Sequence, residues 1–170
     1  MRTFKINILI FLFFFSCNDT IQEKESTISI DEISIPSIEI NRDHENVKLK
    51  NGILYFKEKP FSGIVNTFYD DENIKSKSAY DQGKREGFFL GWYRNGAQWF
   101  NRSYTKGLKS GIHKGWHENG VQMFEYHFNN KGIYDGIVKD WFADGTLAKY
   151  FNFVEGKEAG SQKMWDLKGK

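Results

Sequence analysis

The sequence predicts an all-β protein of tandem β-hairpin repeats, about 24 residues each, forming an elongated, twisted antiparallel sheet. Three observations predict it. Glycines recur at Gly63, Gly87, Gly111, Gly136 and Gly160, at spacings of 24, 24, 25 and 24 residues. A large aromatic stands five positions after each, at Phe68, Trp92, Trp116, Trp141 and Trp165. Turn pairs follow at Asn95-Gly96, Asn119-Gly120 and Asp144-Gly145, and Tyr80, Tyr104, Phe128 and Phe153 close the full units. Several columns agreeing at one period mark a repeat architecture.

Within a unit the local chemistry is that of a hairpin. Asn-Gly and Asp-Gly suit a type I′ turn, in which both central residues need positive φ. A two-residue loop at Asn119-Gly120 sets Glu118 opposite Val121, Trp116 opposite Met123 and Lys114 opposite Glu125, an apolar pair and an ion pair. Glu72 stands where the first unit should have its turn glycine, so that turn is expected to differ. The third unit has one extra residue near Asn129-Asn130, expected in a loop or bulge. This register puts Ile112, Trp116 and Met123 on one face and Phe124, Tyr126 and Phe128 on the other. A lone hairpin is marginal in water. Stacking units lets neighbours bury each other's aromatics, with one face packed in the array and the other lining an exposed groove. Glycine at the junctions permits positive φ or close backbone approach.

The motif G-x4-W-[YHF]-x-[ND]-G is carried by Gly87-Trp92-Asn95-Gly96, Gly111-Trp116-Asn119-Gly120 and Gly136-Trp141-Asp144-Gly145. The closes run from Gly107 to Gly111 and from Gly156-Lys157 to Gly160. On these residues the chain resembles the MORN-repeat superfamily in its bacterial variant, over roughly Asn51 to Lys170. The resemblance implies the repeat fold. It also brings a label, antitoxin-like protein of a toxin–antitoxin system, that many bacterial members carry; others are repeat lipoproteins.

Residues 1–17 have the layout of a secretory signal peptide: Arg2 and Lys5, then an apolar run from Ile6 to Phe15. The run falls short of the about 20 residues needed to span a bilayer. Ending on Ser16-Cys17, it resembles a bacterial lipoprotein signal, which implies lipidation of Cys17, export and anchoring in the envelope, with the outer membrane expected. Phe14 and Phe15 depart from the Leu and small residue such signals prefer. Cys17 is the sole cysteine, so no disulfide can form within one chain.

Residues 18–48 hold eight acids against three bases and no aromatic, the composition of a tether. Within it Ile28, Ile30, Ile33, Ile35, Ile38 and Ile40 keep two-residue steps, which predict a short strand that Pro36 confines to an edge. Residues 49–170 are the repeats, opening with a half unit from Asn51-Gly52 to Ser62 whose strand Pro60 ends. The last unit reaches Lys170 without a second strand, so an open edge is expected there.

No catalytic constellation recurs. His113 and His117 share a face about 13 Å apart on a strand, too far for joint metal ligation, and they stand where the preceding unit has Phe89 and Tyr93. No metal or cofactor is expected. Lysines and arginines are scattered, not clustered as a nucleic-acid footprint would be. Trp92, Tyr93, Trp99, Trp116, Trp141 and Phe142 form the candidate binding face. Such rings suit a docked protein, or stack on sugars and quaternary amines. Gly91-Trp92 and Gly115-Trp116 also resemble the choline-binding repeats of Gram-positive surface proteins, whose period and turns fit less well. The expected function is a non-catalytic, lipid-anchored protein–protein interaction module. The alternatives are an antitoxin-like or immunity protein and a cell-wall or glycan-binding protein.

Overall fold

The computed structural model describes residues 34–169. Cys17, and with it the whole targeting segment, lies outside the described residues, as do Ile28, Ile30 and Ile33. Fourteen strands follow: β1 Glu39–Asn41, β2 Val47–Lys50, β3 Ile53–Phe56, β4 Lys59–Pro60, β5 Gly63–Phe68, β6 Ile74–Asp81 and β7 Lys84–Trp92. The rest are β8 Gln98–Thr105, β9 Leu108–Trp116, β10 Gln122–Phe128, β11 Tyr134–Trp141, β12 Leu147–Val154, β13 Lys157–Glu158 and β14 Lys163–Met164. The fold is all-β. One 11-stranded sheet runs β1-β5-β6 and on in chain order to β13, with β14 also paired to β12. From β5 onward every pairing is antiparallel, so each period of 24 or 25 residues adds one hairpin.

The half unit does not join this sheet. Strands β2, β3 and β4 make a separate three-stranded sheet. Val47, Leu54 and Phe61 from this part of the chain share one buried cluster with Val65 and Tyr80 of the main sheet. Backbone bonds lock the two together: Leu54 N–H donates to Gly83 O, and Gly83 N–H to Phe61 O, both at 2.8 Å. The acidic segment contributes β1, which pairs in parallel with β5 at the sheet edge; it is shorter than the isoleucine steps predict, starting three residues after Pro36, which lies outside it. Its Ile40 packs on the same cluster.

The turns invert the type I′ expectation. At Asn95-Gly96, Asn119-Gly120 and Asp144-Gly145 only the glycine has positive φ. Tyr93, His117 and Phe142 each accept from the N–H three residues on, and each donates its own N–H to the residue four on, making three-residue loops. The reason is the side chain: Asn95, Asn119 and Asp144 each accept on Oδ1 the N–H two residues later, at 2.9, 3.1 and 2.8 Å, which holds the residue in a right-handed turn. Glu72 does not change the first turn. Its N–H donates to Tyr69 O at 3.0 Å, and it takes φ 64° itself. Turns with two positive-φ residues sit instead at the other end of the hairpins, at Gln82-Gly83, Lys106-Gly107 and Glu155-Gly156, and in the half unit at Asn51-Gly52. The third unit places its extra residue in the loop Asn129–Gly132, where Gly132 N–H donates to Asn129 O.

The longer loop shifts the register. Trp116 is opposite Gln122, not Met123, because one extra residue follows as a bulge before Phe124 pairs with Gly115. Lys114 does face Glu125, at 3.4 Å. The same bulge recurs after Phe68, Trp92 and Trp141. A second irregularity falls in each junction strand at Gly87, Gly111 and Gly136, whose φ values are 74°, 64° and 104°. Gly63 and Gly160 also have positive φ, and a Cβ on Gly63 would lie 2.5 Å from the Ile38 carbonyl.

Candidate functional site

Strand alternation divides the side chains between two faces. One, here called face A, carries the packed rings. Phe100 lies on Gly91 of the neighbouring strand, and Phe124 on Gly115; a Cβ on either glycine would stand 2.3 or 2.1 Å from the ring. In the next unit the pair becomes Asp140 opposite Lys149, an ion pair at 2.8 Å. The closing aromatics Tyr80, Tyr104, Phe128 and Phe153 form a row with one residue inserted between successive units: Arg85, Lys109 and Tyr134. Arg85 lies 5.7 Å from the Tyr80 ring and 5.5 Å from Tyr104; Lys109 lies 5.0 Å from Phe128. Tyr134 stacks on Phe128 at 4.7 Å and reaches Phe153 at 5.2 Å. Side chains from adjacent units therefore bury one another, which is how a single sheet makes a core.

The histidines are part of this packing. His113 is 2 % exposed, between Tyr104 at 5.5 Å and Phe128 at 4.6 Å, in the position Phe89 holds one unit earlier. Its Nε2–H donates to Ser103 O at 2.7 Å, since a carbonyl can only accept. Burial pushes its pKa below the ordinary value, against the Ser103 bond, with Arg102 and Lys109 adding to the fall. His117 donates from Nε2 to Trp141 O at 2.9 Å. Both rings are thus committed to backbone carbonyls. Among the described residues no three His, Cys, Asp or Glu side chains gather as a metal site. The hydroxyl of Tyr126 bonds Asp140, and burial, then this carboxylate, raises its pKa.

The six predicted face residues do not share a face. Trp92, Trp116 and Trp141 follow Gly91, Gly115 and Asp140 of face A and so lie on the opposite side, face B. Tyr93 and Trp99 lie together on face A with ring centroids 5.7 Å apart, and Phe142, one residue past Trp141, falls on that side too. Alternation alone separates Trp92 from Tyr93 and Trp141 from Phe142, while the bulge carries Trp99 out of that alternation and onto face A. His127 pairs with Ile112 on face B, opposite His113 as expected.

Sequence reasoning missed two features. On face B the residue after each junction glycine is apolar: Ile64, Phe88, Ile112 and Ile137 make a row beside that of Phe68, Trp92, Trp116 and Trp141. Phe68, Phe88 and Ile112 are 38, 36 and 48 % exposed. The column was legible once the glycines were aligned. On face A, two clefts of about 270 and 240 Å³ meet at Arg102, whose guanidinium lies 4.5 Å from Phe100 and 5.6 Å from Phe124. Nothing at the sequence level singles out Arg102, since only the register places it between two rings. No protein-family model matches the chain, and no curated protein matches it.

Proposed function

We propose that the protein is a non-catalytic, lipid-anchored module of the bacterial envelope that docks another protein on face B. The MORN-like motif and the lipoprotein-type signal ending on Cys17 motivate the class and the anchor. The observation that carries the docking reading is the pair of apolar rows on face B, spaced by the repeat and partly exposed at Phe68, Phe88 and Ile112. Contiguous apolar surface of this kind marks interaction sites. Between the rows run Asn66, Lys114 and Lys139, with Leu90 adding to the apolar surface, so the face offers apolar anchors with polar spacers, the composition of a partner-binding patch.

The test is affinity capture from detergent-solubilised envelope with the whole protein, against a Phe88→Ser/Ile112→Ser variant of unchanged circular dichroism. A stoichiometric protein retained by the parent and lost by the variant supports the reading. Equal retention by both, or none by the parent, rejects it. Labelling with a radioactive fatty acid tests the anchor: label on the parent and none on Cys17→Ser is the expected result. If the retained partner is a toxic protein whose activity the chain suppresses, the antitoxin-like alternative applies to the same surface.

A further inference from the structure

We infer that face A is a second, independent binding surface, for an acidic polysaccharide, with Arg102 and Lys109 taking its carboxylates. Thr67, Ser76, Phe89 and Trp99 line one cleft with Arg102, beside Lys75. Lys109, His113, Tyr126, Phe128 and Tyr134 line the other, again with Arg102. Neither lining includes a carboxylate. The one acid pairing within the neighbouring packing, Asp140, is neutralised by Lys149 and bonded by Tyr126.

Arg102 and Lys109 have only rings as partners among the described residues. The Arg102 guanidinium has no side-chain hydrogen bond to a protein acceptor among the described residues, which leaves its N–H donors for a ligand acceptor. Clamped by Phe100 and Phe124, the group loses little further freedom on binding, and its planar fork matches a carboxylate. His113, buried and neutral, adds neither charge nor a free donor.

The choice of polysaccharide over acidic peptide follows from where the site lies. Extended peptides gain affinity by adding backbone bonds at a sheet edge. Here the strands beneath, β5 to β11, each have a neighbour on both sides, so a ligand on this face is recognised by side chains alone. Stacking on Trp99, Phe89, Tyr126 and Tyr134 suits the flat faces of sugar rings. Phe89 and Phe100 of one cleft are replaced by His113 and Phe124 of the other, one hairpin on, and two strand spacings are roughly 10 Å, about the length of two linked pyranose rings.

The proposal does not rest on the protein partner of face B, and the experiment keeps the two apart. Tetragalacturonate is titrated into the whole protein in detergent and followed by tryptophan fluorescence and calorimetry. Maltotetraose and tetraglutamate serve as neutral and peptide controls at equal ionic strength. Saturable tetragalacturonate binding is expected, lost about tenfold or more in Arg102→Gln, as for a charged hydrogen bond, and weakened in Lys109→Ala. The Phe88→Ser/Ile112→Ser variant should bind as the parent does. Lys109 is exposed, so its variant keeps the test open if Arg102→Gln fails to fold. Absence of saturable binding at millimolar ligand overturns the proposal. So does equal binding of maltotetraose or tetraglutamate, or Lys109→Ala binding at parental strength with Arg102→Gln either unchanged or unfolded.

Discussion

The hydroxyl of Tyr93 donates to the backbone carbonyl of Trp116, one repeat further along, at 2.9 Å. The bond is one rung of a ladder. Tyr69 makes it to Trp92 at 2.9 Å, and His117 makes it to Trp141 at 2.9 Å. Each rung ties the turn of one hairpin to the motif aromatic of the next. The next residue in the column is Phe142, whose ring has no donor. The aromatic-or-histidine position of the motif is therefore a hydrogen-bonding position between repeats.

Removing one rung should weaken the array without altering the hairpins. Tyr93→Phe is expected to cost about 1 kcal/mol, the net value of such a bond. Urea denaturation should show a lower midpoint with an unchanged slope. A change in slope would mean that more than a single bond had been lost.

Stability should fall on mild acidification because His113 is buried as the neutral ring. Its folded pKa lies below its unfolded value of about 6.5. The unfolded chain therefore binds more protons in that range, and ∂ΔG/∂pH is positive. The contribution is complete above the unfolded pKa and is lost as pH drops through the folded one. Urea midpoints at pH 7.5 and 5.5 measure the slope. His113→Phe, which copies Phe89 of the preceding unit, should flatten it relative to the parent.

Gly91 and Gly115 are required for close approach, not for backbone conformation. Neither has positive φ, yet each has a ring where its Cβ would be. Gly115→Ala should destabilise by about 1–3 kcal/mol, the range for overpacking. Adding Phe124→Leu should recover part of the loss by removing the ring, and a double-mutant cycle on thermal midpoints reads the coupling.

Glu72 occupies a left-handed position that glycine fills in the three following turns. Glu72→Gly should stabilise by about 1 kcal/mol through relief of that strain, partly offset by the entropy of the unfolded glycine. An increase in thermal midpoint is the expected reading.

The repeat period, the hairpins, the junction glycines and the row of closing aromatics were legible in the sequence because each is a local requirement repeated in one register. So was part of the split of the six candidate aromatics, since alternation sets Trp92 against Tyr93 and Trp141 against Phe142. The face of Trp99 was not, because alternation assumes an unbroken ladder and the bulge after Trp92, Trp116 and Trp141 moves the following strand by one residue. Asn-Gly turn chemistry misled for a related reason. The same dipeptide serves a two-residue loop at Asn51-Gly52 and a three-residue loop at Asn119-Gly120. At Asn119-Gly120 the Asn119 side chain accepts the Val121 N–H, and His117 closes the three-residue loop through its own backbone bonds.

By itself the sequence determined that this chain builds an all-β sheet one hairpin at a time, since glycine spacing and turn residues act over a few positions. Tertiary structure alone decided that the half unit folds apart as β2–β4 and closes over Val65 and Tyr80. It also decided which face each indole takes and that Arg102 lies between Phe100 and Phe124. Those outcomes depend on contacts between strands distant in sequence, where one bulged residue changes every partner that follows.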